Sequence, residues 1–102
     1  MLFRPPYGLR WVGLAEVLQQ AGLLAVMWDV NSEDWKRPPE EIVARVVNQA
    51  QPGSIILLHD GIPPNESTSR TNTVQALPEI LRKLSTQYQF ATVSELIRAE
   101  NN

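Results

Sequence analysis

Residues 23–59 read LLAVMWDVNSEDWKRPPEEIVARVVNQAQPGSIILLH, and this stretch decides the fold class. The uninterrupted apolar run over 23–30 predicts a strand that is buried on both faces. Pro38 and Pro39 favour a helix start, because proline fits the first turn and the glutamates that follow suit the positive end of the helix dipole. The apolar stripe predicted for this helix consists of Ile42, Val43, Val46, Val47 and Ala50. A second apolar strand is predicted over 54–59. Strand, helix and strand in this order predict a βαβ unit with two parallel strands and a right-handed crossover.

The segment before this unit predicts a helix and a short strand. Apolar residues recur at helical spacing over 11–20, and Gly22 follows as a stop signal. We expect Trp11 and Trp28 to pack in the core, since they occupy helix and strand positions. Residues 2–3 add at most a strand stub.

The segment after the unit predicts four further elements. They are, in order, a polar loop over 60–72, a helix over 73–87, a strand over 89–93 and a helix over 94–99. Pro78 must either begin the regular part of the first helix or kink it, and Thr92 with Glu95 resembles a capping box that opens the second. A loop of about a dozen residues suggests a rim over a site. The whole chain, 1–102, is therefore predicted as a single α/β portion with about three to four parallel strands and intervening helices.

The composition argues against several classes of protein. The 102 residues suffice for one small domain, and the net charge of −2 argues against a nucleic-acid or anionic-membrane surface. No stretch approaches the roughly 18 apolar residues of a membrane span. The first residues do not resemble a signal peptide, which leaves the compartment unknown. Cysteine is absent and histidine occurs once, so disulfides, thiolate nucleophiles and Cys-based zinc sites are not expected.

The predicted sheet has too few strands to close on itself. Parallel sheets are normally covered on both faces or closed into a barrel, and three or four strands cannot close one. An open sheet would leave two unpaired edges of apolar strands. We therefore expect the isolated chain to self-associate or to pair with a missing N-terminal half.

His59 and Asp34 are the first candidates for chemistry, because each follows a predicted strand of the βαβ unit. His59 is a natural proton donor or acceptor, and Asp34 lies where its carboxylate can reach the imidazole and fix the tautomer. Each residue also has a structural interpretation. His59 can simply hydrogen-bond a neighbouring loop at a strand end, and Asp34 can be a solvated loop residue or a helix cap.

Arg4, Tyr7 and Trp35 are the candidates for binding. Two prolines stiffen the chain after Arg4, which suits a guanidinium that meets a carboxylate in fixed geometry, although a frayed chain start explains Arg4 equally well. Tyr7 and Trp35 lie in predicted loops and are candidates for a pocket wall. A zinc site needs about three protein ligands, which one histidine and no cysteine do not supply in the usual way.

Three blocks of the sequence resemble the last three of the five motifs of the polysaccharide deacetylase (NodB-like) family. They are FRPPYG at 3–8, NSEDW at 31–35 and ILLHD at 56–60, and FATVSEL at 90–96 resembles the end of many members. The resemblance implies the second half of a distorted (β/α) barrel. It also implies hydrolysis of acetyl groups from N- or O-acetylated sugars and polysaccharides with one divalent, zinc-like metal.

The resemblance also assigns roles to six residues. His59 would be the general acid that protonates the leaving amine, and Asp34 the carboxylate that tunes it. Arg4 would hold a catalytic-base aspartate that belongs to the first motif of the family. The expected substrate-binding residues are those that line the groove and the pocket for the acetate methyl: Tyr7, Trp35 and Leu57.

The first two family motifs, which carry the metal ligands and the base, have no counterpart in this sequence. We therefore expect no metal to be bound by this chain alone, and no deacetylase activity from it alone. The alternative is a non-catalytic carbohydrate-binding or complementing module. Asn31 stands where the family often has Asp, a change that we expect to cost little.

Overall fold

The computed structural model describes residues 1–61 and 70–100, so most of the polar loop predicted over 60–72 lies outside the described residues. The elements in chain order are β1 Leu2–Phe3, a 3-10 turn at Pro6–Gly8, α1 Leu14–Gln20, β2 Leu24–Ala25, β3 Val30–Asn31, α2 Pro39–Gln49, β4 Ile56–Leu57, α3 Thr71–Leu84 and α4 Val93–Glu100. All four strands pair in parallel. The predicted α/β class with parallel strands is confirmed.

The strands form two separate parallel pairs. β1 pairs with β2, with Leu2 opposite Leu24, and β3 pairs with β4, with Val30 opposite Ile56. The prediction of one continuous strand over 23–30 is therefore wrong, and so is its burial on both faces, because Leu24 is half exposed. The second predicted strand, over 54–59, shortens to the two residues of β4.

Asp29 explains why the predicted strand divides. Its carboxylate accepts hydrogen bonds from the Ser54 hydroxyl at 2.9 Å and from the Ile55 backbone N–H at 2.6 Å. The backbone N–H groups of Asp29 and Val30 both donate to the Ile55 carbonyl. A regular parallel ladder spaces its bonds evenly, so two successive donors on one carbonyl interrupt it. The interruption separates β2 from β3.

The prediction of a strand over 89–93 is also wrong. This segment is not part of a ladder, and it leads instead into α4, which begins at Val93. The Thr92 and Glu95 side chains form the predicted capping box. The Glu95 carboxylate accepts from the Thr92 backbone N–H at 3.1 Å, and the Thr92 hydroxyl accepts from the Glu95 backbone N–H at 3.1 Å.

The core lies between α2, α3 and the β3–β4 pair. The predicted apolar stripe of α2 is confirmed, with Ile42, Val43 and Val46 buried. They pack in one cluster with Val30 and with the buried face of α3, whose apolar members are Ala76, Ile80 and Leu84. This packing fixes the start of α3 beside the ends of β3 and β4.

Helix α1 is shorter than predicted and buries less. It begins at Leu14, because Gly13 has a left-handed backbone with φ +92° that interrupts the helix on its N-terminal side. Trp11 precedes it and is 58% exposed, so the prediction that Trp11 packs in the core is wrong. Trp28 is only half buried.

Helix α3 begins two residues earlier than predicted and ends three residues earlier. Pro78 lies in its interior rather than at its start. The final helix extends the predicted 94–99 by one residue at each end. In the described residues, no helix has the length and apolar character that crossing a bilayer requires.

The position of Ile42 in the core leads to a stability prediction. Ile42→Ala should lower the free energy of unfolding by about 2–5 kcal/mol, because it removes buried methyl groups and leaves a cavity, whereas Ile42→Val should cost about 0.5–1.5 kcal/mol. Urea denaturation measures both values. Val12→Ala is the control, since Val12 is fully exposed. A cost of Ile42→Ala no larger than that of Val12→Ala would contradict this core.

Candidate active site

The carboxyl ends of β3 and β4 place Asp34 and His59 side by side. Asn31 is opposite Leu57 in the parallel register. Asp34 follows three residues after Asn31, and His59 two residues after Leu57, so both leave the sheet at the same edge. The expected contact between them is present.

Three hydrogen bonds hold the Asp34 carboxylate. Its Oδ1 accepts from Nδ1 of the His59 ring at 2.7 Å. Its Oδ2 accepts from the His59 backbone N–H at 2.6 Å and from the Thr73 hydroxyl at 2.8 Å. The Asp34 side chain is fully buried, whereas the His59 side chain is 38% exposed. A buried carboxylate thus supports an imidazole that reaches solvent.

The balance of these contacts keeps Asp34 ionised at neutral pH. Burial raises the pKa of the Asp34 carboxyl, but the hydrogen bonds from His59 and from Thr73 lower it, and the net pKa lies below its usual value. An ionised Asp34 holds the proton of the imidazole on Nδ1. Nε2 is then the ring nitrogen that exchanges a proton with a bound group.

Two side-chain hydrogen bonds fasten the start of the loop that carries Asp34. The Ser32 hydroxyl is buried and donates to the Leu57 carbonyl at 2.8 Å. The Asn31 side-chain oxygen accepts from the Glu33 backbone N–H at 3.1 Å. An aspartate would offer the same acceptor, which is the physical reason to expect little cost from asparagine here.

Glu33 has a left-handed backbone, with φ +54°, and cations surround its carboxylate. Arg37 binds it at 2.6 Å, and Lys36 and Arg45 each lie at 3.4 Å. The hydrogen bond from Arg37 is the largest cause that lowers the pKa of Glu33. Arg45 also donates to the Asn31 carbonyl, which ties the turn to α2. These contacts hold the turn that aims Asp34 inward and Trp35 outward.

Trp35 stands against the imidazole. The two rings are 5.6 Å apart between centroids and nearly perpendicular, at 87°. Trp35 is 42% exposed, and Leu57 is buried at the end of β4. Both line the cavity that contains His59. The arrangement gives the imidazole an aromatic wall and an apolar floor.

Arg4 is fixed rather than frayed. Its Nε donates to the Val26 carbonyl at 3.1 Å and its Nη2 to the Met27 carbonyl at 3.4 Å. Its guanidinium lies over the Trp28 ring, 5.8 Å from the centroid. The prediction that Trp28 belongs to the core is thus met only in part, because the ring also lines the cavity.

The turn that follows Arg4 is strained at Tyr7 and tight at Gly8. Tyr7 has φ +56° and is 84% exposed at the cavity. A Cβ on Gly8 would stand 2.6 Å from the Trp28 ring, and Gly8 has φ +69°, so only glycine fits there.

One open cavity of about 890 Å³ collects most of the predicted site residues. It is lined by Arg4, Tyr7, Trp35, Leu57 and His59, together with Trp28 and Arg70, among others. Asp34 stands behind His59. Sequence reasoning missed Thr73, whose only signal was a hydroxyl on the otherwise apolar face of a helix.

The described residues do not fit a metal site. Among residues 1–61 and 70–100, no group of three His, Cys, Asp or Glu side chains lies close enough to hold an ion. The His59 Nδ1 and the Asp34 carboxylate are bonded to each other. A catalytic zinc ion takes about three protein ligands.

The depressed pKa of Asp34 predicts how stability depends on pH. A carboxyl whose pKa is lower in the folded than in the unfolded state stabilises the fold at any pH above its usual pKa of 3.8. This contribution is lost as the pH falls through the pKa of the folded state. The difference in unfolding free energy between the wild type and Asp34→Asn should therefore shrink as the pH falls from neutrality to about 2.5. Urea denaturation at both pH values measures it.

Asp60→Asn is the control for this experiment, because it removes the same charge from an exposed neighbour of His59. The difference between wild type and this variant should change less with pH. A difference for Asp34→Asn that is unchanged across the range would contradict the buried, ionised carboxylate.

Comparison with known proteins gives consistent relatives. No family model matches the chain. It is 42% identical over 102 residues to a peptidoglycan-N-acetylglucosamine deacetylase of Bacillus cereus, a match that covers 96% of this chain and 46% of the relative. It is 42% identical over 88 residues to a chitooligosaccharide deacetylase of Bradyrhizobium, which covers 79% of this chain and 40% of the relative.

The fold is similar to solved structures. The peptidoglycan deacetylase PdaC of Bacillus subtilis superimposes with a TM-score of 0.77 at 41% identity, over 98% of this chain and 45% of that one. The chain spans less than half the length of each of these proteins. The sequence blocks, the parallel α/β fold and these relatives show that the chain belongs to the polysaccharide deacetylase (NodB-like) family and corresponds to part of the length of these members.

Proposed function

We propose that residues 1–102 form the C-terminal half of a metal-dependent polysaccharide deacetylase. The enzyme hydrolyses the amide bond that joins the acetyl group to the nitrogen of N-acetylated sugars or polysaccharides. The observation that carries the proposal is the 2.7 Å bond between the buried Asp34 carboxylate and Nδ1 of His59, at the wall of the open cavity. The names of the relatives support acetylated polysaccharides and oligosaccharides as the substrate class.

His59 is the general acid of this proposal. Amide hydrolysis needs a proton on the leaving amine, and Nε2–H of a charged imidazole can give it. The negative Asp34 carboxylate stabilises that charge and keeps the ring oriented. General acid catalysis of this kind is worth about 10²–10⁴-fold in rate.

The cavity walls suit an acetylated sugar. Trp35 and Leu57 offer an apolar pocket beside His59 for the acetate methyl, and the exposed ring of Tyr7 offers a surface on which a sugar can stack. The backbone N–H of Tyr7 is proposed to help to hold the oxyanion. Arg4, fixed by two backbone carbonyls, is proposed to hold the base carboxylate from the N-terminal half.

The open surface of the fold supports pairing with that half. The structure is a slab of 41 × 40 × 17 Å. Large apolar side chains are exposed on and near β1, β2 and α1: Leu2, Leu24, Val12 and Val17. We propose that the N-terminal half continues these strands into the distorted (β/α) barrel of the family and covers this surface. Self-association of the isolated chain is the alternative means of covering it.

Metal and base are proposed to come from the N-terminal half, because this sequence has no counterpart of the two family motifs that carry them. The purified chain should therefore release no acetate from an acetylated chito-oligosaccharide, with or without added zinc. Co-expression with a chain that carries the upstream motifs should restore release. In that complex, His59→Gln should lower kcat by about 10²–10⁴-fold, whereas Glu79→Gln, an exposed change on α3, should not.

Metal-dependent release by the purified chain would overturn this division of labour. An active complex that is indifferent to His59→Gln would overturn the role of His59. No activity on co-expression, combined with glycan binding that Trp35→Ala removes and Trp11→Ala keeps, would instead favour a carbohydrate-binding module. Trp11 suits this control because it is an exposed tryptophan that does not line the cavity.

A further inference from the structure

Thr73 contacts the site from a helix that carries none of the family blocks. It lies in the first turn of α3 and is only 7% exposed. Its hydroxyl donates to Asp34 Oδ2 at 2.8 Å. Thr73 is thus the point at which α3 meets the Asp34–His59 pair.

Packing alone does not account for a threonine at this position. The other buried residues on the same face of α3 are Ala76, Ile80 and Leu84, all apolar. Valine has nearly the same shape as threonine and would fill the same space. A buried hydroxyl costs free energy unless it is hydrogen-bonded, and the partner of this hydroxyl is a carboxylate.

The bond fixes which oxygen of Asp34 faces the imidazole. Oδ2 accepts two hydrogen bonds, from the Thr73 hydroxyl and the His59 backbone N–H, while Oδ1 accepts from the ring alone. Without Thr73, both remaining donors to the carboxylate would belong to His59, so the carboxylate and the imidazole could turn together. The Thr73 hydroxyl comes from a different element and removes that freedom.

We propose that Thr73 is a positioning residue that locks the rotation of the Asp34 carboxylate and thereby sets the alignment of His59. The alignment of His59 matters for catalysis only through the proposed function, on which this inference rests. The hydrogen bond from Thr73 to Asp34 is itself tested without substrate. His59 is the only titratable side chain, among those described, that hydrogen-bonds Asp34.

The test compares Thr73→Val with Thr73→Ser in this chain. Valine keeps the shape and removes the donor, whereas serine keeps the donor. The titration of the Asp34 carboxyl carbon, followed by ¹³C NMR, reports the bond, because a hydroxyl that donates to a carboxylate lowers its pKa. Thr73→Val should lower the acid dissociation constant of Asp34 roughly tenfold, and Thr73→Ser should leave this constant close to that of the wild type.

Thr86→Val is the matched control. It removes a threonine hydroxyl that bonds the Lys83 carbonyl in an exposed place after α3. The Asp34 titration should not move in this variant. A purely structural Thr73 would change the unfolding midpoint of Thr73→Val while leaving the Asp34 titration at its wild-type position, and that result would overturn the proposal.

A wild-type measurement covers the case in which Thr73→Val does not fold. The Thr73 hydroxyl proton should exchange slowly with solvent while Asp34 is ionised, and this protection should be lost when Asp34 is protonated. A rapidly exchanging hydroxyl at neutral pH would overturn the proposal. Neither readout uses substrate, so a failure here is separate from a failure of acetate release in the complex.

Discussion

The burial of one charged carboxylate organises the site. A carboxylate removed from water costs several kcal/mol unless donors compensate it, and Asp34 is fully buried. Its donors come from the end of β4 and from the first turn of α3, while Asp34 itself follows β3. The register of the β3–β4 pair and the seat of α3 on the core must therefore both be correct before Asp34 can be satisfied. The site thus depends on the fold through these three bonds.

Part of this arrangement was readable from the sequence, and for physical reasons. The apolar stripe around Ile42 and Val46 has the period of a helix, and the capping box of Thr92 and Glu95 is a local pattern, so both were predicted correctly. His59 and Asp34 follow the two strands of one βαβ unit, so their proximity follows from topology alone. Local patterns and the βαβ order carried this information.

The errors arise where a distant contact decides the outcome. Asp29 divides the predicted strand because its carboxylate binds Ser54 and Ile55, which lie 25 and 26 residues further along the chain. Trp11 resembles a core residue by spacing, yet Gly13 begins the helix after it. Thr73 gave only a weak signal, one hydroxyl on an apolar face. Asp29 and Thr73 depend on partners that no local window contains, whereas the error at Trp11 has a local cause, the left-handed backbone of Gly13.

The tautomer of the neutral His59 imidazole tests the buried Asp34–His59 pair most directly. His59 is the only histidine of the chain, so its two ring nitrogens give unambiguous ¹⁵N signals. With Asp34 ionised and bonded to Nδ1, the neutral ring should carry its proton on Nδ1 and leave Nε2 unprotonated toward a bound group. A ring protonated on Nε2, or an even mixture of the two tautomers, would contradict the pairing on which the site is built.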